Sequence, residues 1–271
     1  MTKVSRPVMR YYGGKAKVAS WIISHFAPHR VYTEAYGGAA SVLLQKPRVH
    51  AEIWNDLYDE LVNLFRVLRS PTESRFLVEQ VRLTPFARRE YEAAFLPTSD
   101  PVEQARRTLV KSAMGFGSDS VFHRTGFRSG HTRAGQIPAI DWYKQPAALE
   151  QIIDRLRGVI IENQPALQVL QRYDSPTTLH YVDPPYPKSV RGEDGRYRHE
   201  MTDDDHRELA ELLHQVKGMV VVSGYACPLY DAELYPDWQR VECSTHADGG
   251  RDRNEVLWIK PGSVVQPGLY R

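Results

Sequence analysis

The chain has 271 residues, 42% of them hydrophobic, enough to bury a sizeable core as one large α/β domain or as one domain carrying an insertion. Its formal net charge is only +2, so any affinity for nucleic acid must come from local patches and not from the overall balance. Two cysteines without metal-ligand spacing suit a reducing compartment and no structural zinc; with no signal-like apolar start and no run of about 18 apolar residues to span a bilayer, a soluble cytoplasmic protein is expected.

In chain order, the first feature is Met9-Arg10-Tyr11-Tyr12-Gly13-Gly14-Lys15, ahead of a helix that the spacing of Val18, Ile22 and Phe26 predicts over 16–26. Paired glycines let a backbone approach a ligand closely, and Lys15 puts a cation at the turn. The spacing is not that of a phosphate-binding P-loop, and a plain surface loop reads the same way. Val31 to Leu44 reads as a strand, a tight glycine turn and an amphipathic helix, the opening of a nucleotide-binding βαβ unit. A second strand, His50 to Trp54, ends at Asn55-Asp56. An acid about 20 residues beyond the glycine turn suits the hydroxyls of a ribose, and it equally suits the N-cap of the next helix. There Leu57, Leu61, Leu64, Phe65 and Leu68 keep helical spacing until Pro71.

From Glu73 to Arg157 the strand-helix alternation pauses. Helices are predicted at Ser74–Val81, Arg88–Phe95, Val102–Met114 and Ala147–Arg157. A Gly/Ser-rich, hairpin-like loop, Gly115 to Gly130, follows the third. Residues 106–133 hold six cations (Arg106, Arg107, Lys111, Arg124, Arg128 and Arg133) against the one anion Asp119, a formal +5. Interleaved with Phe116, Phe122 and Phe127, they have the character of a nucleic-acid contact surface, although any one of them alone reads as a solvated arginine or lysine.

The sheet resumes with Val159 to Asn163, and then comes Leu179-His180-Tyr181-Val182-Asp183-Pro184-Pro185-Tyr186. Neither proline can continue a sheet ladder, so the strand ends at Asp183. The Asp183 carboxylate and the carbonyls of Asp183 and Pro184 then project stiffly from the strand's C-terminal end, with the Tyr186 ring beside them. Acceptors next to an aromatic face suit an exocyclic amine on a flat heterocycle, whose N–H groups donate while its ring stacks on Tyr186. A strand-ending proline turn with a capping Asp accounts for the tetrapeptide alone equally well. Pro187 to Glu200, rich in Gly and Arg, reads as a mobile loop over the site. Thr202 is the predicted N-cap of a helix opened by Asp203-Asp204-Asp205, with Leu209, Leu212, Leu213 and Val216 as its apolar stripe. Capping explains these acids without making His199, Asp203 and His206 metal ligands. Met219 to Ser223 is a fifth apolar strand, and Val241–Cys243 with Glu255–Ile259 form a final antiparallel pair.

Asp183-Pro184-Pro185-Tyr186 after a strand resembles the catalytic motif of amino-directed DNA methyltransferases. Nearly the whole chain outside the middle of the insertion resembles the Dam-like DNA N6-adenine methyltransferase family. Tyr11-Tyr12-Gly13-Gly14-Lys15 is similar to the family's N-terminal aromatic-x-Gly-Gly-Lys motif, and the run 255–261 to its closing strand. Glu34-Ala35-Tyr36-Gly37-Gly38-Ala39-Ala40 is similar to its Glu-Pro-Phe-x-Gly-x-Gly turn but departs at Ala35 and Ala40, small residues that still allow close packing of helix on strand. Pro165 stands where the family usually has an acid, which removes that side-chain contact to the cofactor's adenine.

The resemblance implies a Rossmann-like α/β methyltransferase fold, a mostly parallel sheet with an antiparallel C-terminal strand. Residues 1–70 and 158–271 would form the catalytic domain, and 71–157 an inserted helical target-recognition domain. It implies S-adenosylmethionine as co-substrate, with no metal, contacted by Tyr11, Gly14, Lys15, Glu34, Tyr36, Gly38, Asp56 and Asp183. Asp183, Pro184, Pro185 and Tyr186 would be the catalytic residues, methylating adenine N6 in a base flipped out of double-stranded DNA. Arg124, Arg128 and Arg133 are the expected DNA contacts. A restriction endonuclease counterpart and a bacterial or phage setting belong to the same expectation. The alternatives are N4-cytosine methylation, whose enzymes more often carry Ser first in the motif, and a DNA-binding protein without catalysis, against which Asp183, Tyr186, Asp56 and Lys15 speak.

Overall fold

The computed structural model describes residues 4, 6–130, 137–191, 197–246 and 252–263. Its centre is a sheet of β1 (Val31–Glu34), β2 (Ala51–Asn55), β3 (Val159–Glu162), β4 (Thr178–Val182), β5 (Met219–Gly224), β6 (Gln239–His246) and β7 (Asp252–Ile259). The spatial order is β3-β2-β1-β4-β5-β7-β6. β1 to β5 run parallel, and β7 is antiparallel to both β5 and β6. Parallel strands are covered on both faces, which is why every residue of β4 is buried, its polar Thr178 and His180 included, and why β5 reads as an apolar run with Val220, Val221 and Val222 fully buried. The order reverses between β1 and β4, and ligands bind at the carboxyl edge beside such a switch point. This mostly parallel, antiparallel-ended sheet fits the methyltransferase fold that the sequence leads one to expect.

The helices are α1 (Ala19–Ser24), α2 (Ser41–Gln45), α3 (Asp59–Arg69), α4 (Pro71–Leu83), α5 (Arg88–Ala93), α6 (Pro101–Met114), α7 (Pro138–Tyr143), α8 (Gln145–Leu156), α9 (Ala166–Arg172) and α10 (Asp203–Gln215). The start of α10 is as the sequence reads: the Thr202 hydroxyl accepts from the Asp205 N–H, and the Asp205 carboxylate accepts from the Thr202 N–H. Leu57 does not belong to the stripe of α3; it precedes the helix and is 40% exposed. α7 and α9 are not read from the sequence. α7 is anchored by the buried Trp142, whose indole N–H donates to the Thr84 carbonyl at 2.7 Å.

The helical stretch 71–157 packs into the same core as the sheet. Leu77 of α4, Leu109 of α6 and Leu149 of α8 join Leu61 and Leu64 of α3, Trp54 of β2 and Leu179 of β4 in one apolar cluster. A buried ion-paired group reinforces the seam: Arg155 of α8 reaches Glu52 of β2 at 2.6 Å, and Lys46 reaches the same carboxylate at 2.8 Å. Removing one member would strand a buried charge, a loss of roughly 3–5 kcal/mol. Among the described residues no helix is long and apolar enough to cross a membrane.

Candidate active site

At the carboxyl edge of the sheet lies a cavity of about 290 Å³. Tyr11, Gly14 and Lys15 enter it from the N-terminal segment, and Glu34, Tyr36 and Gly38 from the turn after β1. Asp56 reaches it from the tip of β2, and Asp183 and Pro185 from the end of β4. Thus every cofactor contact expected from the sequence faces one space. Pro184 and Tyr186 stand behind its wall, both buried.

The glycine turn is shaped by what cannot fit there. A Cβ on Gly37 would sit 2.1 Å from the indole nitrogen of Trp54, and Gly38 has a φ of +47° with Tyr11 pressed against it. The bare backbone therefore forms part of the cavity wall. Ala40, standing where the family pattern has its last glycine, keeps a left-handed φ of 54°. Close packing is preserved, but at a conformational cost of about 1 kcal/mol that glycine would avoid.

Asp56 does not cap α3, whose N-cap residue is Tyr58 without a side-chain cap. Its carboxylate accepts the N–H of Gly38 at 2.9 Å and of Tyr58 at 2.8 Å, tying the glycine turn to the tip of β2. Burial raises its pKa against these two bonds. A carboxylate has about four acceptor sites, so these bonds leave acceptor capacity for a hydroxyl in the cavity. Glu34 is more isolated: one oxygen accepts from the Leu43 N–H at 3.4 Å and the other, Oε2, has no partner among the described residues. Burial pushes its carboxyl up to about 8.

The Lys15 ammonium lies 2.9 Å from Asp183 Oδ2, 3.7 Å from Glu255 Oε1 and 2.7 Å from the Gly13 carbonyl. Burial opposes its charge, but the two carboxylates outweigh it and hold its pKa above the ordinary lysine value. Burial raises Asp183 to about 6, with Lys15 pulling it down and Glu255 pushing it further up. Asp183 Oδ1 is buried with no hydrogen-bond partner among the described residues.

Tyr186 corrects one expectation. Its ring is not an open stacking platform: the Lys15 ammonium lies 4.8 Å from the ring centroid, Tyr225 meets the ring edge-on at 4.6 Å, and the phenol donates its single hydrogen to Glu255. A buried phenol needs such a partner, and satisfying it turns the ring into the sheet edge. Base stacking there requires Lys15 to share or leave the face.

The loop after β4 lies over the site, as the sequence suggests, through Tyr197, Arg198, His199 and Glu200. The Tyr197 ring packs edge-on against Tyr12 at 5.2 Å, and its hydroxyl would touch any Cβ at Gly13. The sequence reading missed Tyr197, Ser223 and Glu255, each visible only as a polar side chain in a loop or at the end of an apolar strand. His206 is a buried core histidine whose Nδ1 lies 3.1 Å from the Tyr230 hydroxyl, and burial holds its pKa down to about 4. Among the described residues no three His, Cys, Asp or Glu side chains converge as metal ligands.

The formal +5 of residues 106–133 is largely spent inside the fold. Arg106 pairs with Glu103 at 2.7 Å and Glu90 at 2.8 Å, Arg107 with Glu103 at 2.6 Å, and Lys111 with Glu60 at 2.8 Å. These three are corrected from surface cations to structural ion pairs. Arg124 is exposed with its guanidinium 5.8 Å from the Phe95 ring centroid, and Arg128 is half-buried on a hairpin closed by the Gly115–Phe127 bridge. Arg133 lies outside the described residues. Phe116 at the same hairpin is 70% exposed.

A family model described as D12 class N6 adenine-specific DNA methyltransferase matches residues 11–241. The comparison with curated proteins gave no match.

Proposed function

Because the chain belongs to the D12 class N6 adenine-specific DNA methyltransferase family, an enzyme family acting on adenine in DNA, we propose that it methylates a base flipped out of double-stranded DNA, with S-adenosylmethionine as donor. The observation that carries the reading is Asp183 Oδ1, an unpartnered carboxylate oxygen buried at the switch-point edge while Lys15 holds its twin. Glu34 Oε2 and Ser41 Oγ are likewise buried without partners beside the same cavity. Each such atom costs about 1–3 kcal/mol until a ligand satisfies it, so the group fits a polar, amino-bearing donor. The Gly37-Gly38 backbone and the spare lone pairs of Asp56 fit its sugar.

When bound, S-adenosylmethionine supplies an electrophilic methyl on a sulfonium. Asp183 Oδ1 would accept one N–H of the target amine, with the Pro184 carbonyl, which does not line the cavity, as the second acceptor that the motif implies, drawing the lone pair out of conjugation with the ring. The N–C bond would form as the S–C bond breaks, the thioether leaving uncharged and the amine's surplus proton passing to Asp183. Orientation and electrostatics then provide the catalysis, without a covalent enzyme intermediate. The helical stretch 71–157 serves target recognition, with Arg124 and Arg128 on phosphates, and a restriction endonuclease counterpart remains part of the proposal. Incubation with tritium-labelled donor and unmethylated double-stranded DNA, followed by nucleoside analysis, should yield N6-methyladenine; N4-methylcytosine alone, or no incorporation, would overturn the reading.

Charge removal at the hairpin gives a separate expectation. The Arg124→Ala/Arg128→Ala variant should weaken DNA binding uniformly across sequences and flatten the plot of log affinity against log salt by about 2, with donor binding unchanged. Fluorescence anisotropy at several salt concentrations checks this, and an unaltered slope removes both arginines from the DNA interface.

A further inference from the structure

One buried carboxylate at this edge has no place in the catalytic motif. Glu255 heads the run Glu255-Val256-Leu257-Trp258-Ile259 of β7, whose next four side chains are each 2% exposed or less. It lies beyond the residues 11–241 covered by the family match. Because β7 runs antiparallel to β5, with Val256 opposite Gly224, this head sits at the carboxyl edge of the parallel strands. Glu255 Oε1 accepts the Tyr186 phenol, accepts the Ser223 hydroxyl at 2.6 Å and stands 3.7 Å from the Lys15 ammonium. Lys15 in turn bonds Asp183 at 2.9 Å and covers the Tyr186 ring. One oxygen thus touches both the aromatic wall and the cation that orients the amine acceptor.

A neutral amide would satisfy a phenol or a hydroxyl, so hydrogen bonding alone does not require a charge in an otherwise apolar strand, where burying one is costly. The charge has a use beside Lys15. A second carboxylate beside the single cation complements a cationic donor and keeps Lys15 from being drawn wholly onto Asp183. Resting on the methyl-transfer reading above, we propose that Glu255 is a positioning residue for that reaction: it fixes the Tyr186 ring by its phenol and anchors Lys15 over it, so that Asp183 keeps one oxygen turned to the target amine.

Glu255→Gln keeps the size and one accepting oxygen but loses the charge; Tyr186→Phe keeps the charge but loses the phenol. With tritium-labelled S-adenosylmethionine and plasmid DNA from a methylation-free host, Glu255→Gln should lower kcat about 30-fold while donor KM stays within about threefold and the melting temperature stays near native. The Glu255→Gln/Tyr186→Phe double variant should be no slower than the slower single variant, because both substitutions dismantle one arrangement. Native turnover in Glu255→Gln, or losses that multiply in the double variant, would overturn the inference; if Glu255→Gln does not fold, native turnover in Tyr186→Phe would do the same. A native protein that transfers no methyl to adenine would instead overturn the methyl-transfer reading, and this inference with it.

Discussion

Asp183→Ala is expected to lower the rate of adenine methylation by about 1,000-fold or more while the protein still binds the methyl donor. The amine of adenine is a weak nucleophile because its lone pair is shared with the ring, so the groups that accept its hydrogens supply most of the activation. In the proposed mechanism these are the Asp183 carboxylate and the Pro184 carbonyl, and only the first carries charge in a buried setting. Its loss also leaves Glu255, 3.7 Å away in the native protein, as the only carboxylate beside Lys15, so the ammonium should settle against Glu255. Donor affinity should fall by only about tenfold, since Glu34, Asp56 and the glycine turn are untouched. Asp183→Asn keeps the shape and one accepting oxygen and should lose about 100-fold. Single-turnover methyl transfer with equilibrium dialysis of the donor separates the two effects. Near-native turnover in the alanine variant would remove Asp183 from the chemistry.

The parts of this site legible in the sequence are those fixed by local backbone chemistry. Two prolines that cannot continue a ladder mark the end of β4, and Gly37-Gly38 marks a turn that no side chain could occupy beside Trp54. Asp56 follows from its place at a strand tip. Glu255 was not legible as a site residue, because an acid heading an apolar strand acquires meaning only when β7 is known to turn antiparallel against β5 and bring it behind Tyr186. The orientation of Tyr186 is not legible for the same reason: its phenol partner comes from a distant strand. The charge count over 106–133 failed through tertiary pairing. Glu103 lies one helical turn from Arg106 and Arg107 and was visible at that spacing, whereas Glu60 and Glu90 arrive on other helices. α7 carried no legible period, and its anchor, Trp142 on the Thr84 carbonyl, is a long-range contact.

Replacing Lys15 tests the charge balance of the whole cluster, through pH. In the native protein Asp183 is raised to about 6 by burial, with Lys15 pulling down and Glu255 pushing up. Only the ionised carboxylate can accept both from Lys15 and from the target amine, so kcat should be flat above about pH 6 and fall tenfold per unit below it. In Lys15→Met the downward pull is lost and the Glu255 repulsion is no longer offset, so the Asp183 pKa rises further. The acid limb of the profile should therefore move to higher pH, by at least about one unit, and not to lower pH. At pH 7 the variant should be about 100-fold slower, at least about twofold from the smaller ionised fraction and the rest from an Asp183 side chain that Lys15 no longer orients. Raising the pH towards 9 should restore the first factor and leave the second. A profile measured from pH 5 to 9 whose acid limb stays at the native position would show that Lys15 does not set the ionisation of Asp183, and the pairing seen at 2.9 Å would then be incidental to activity.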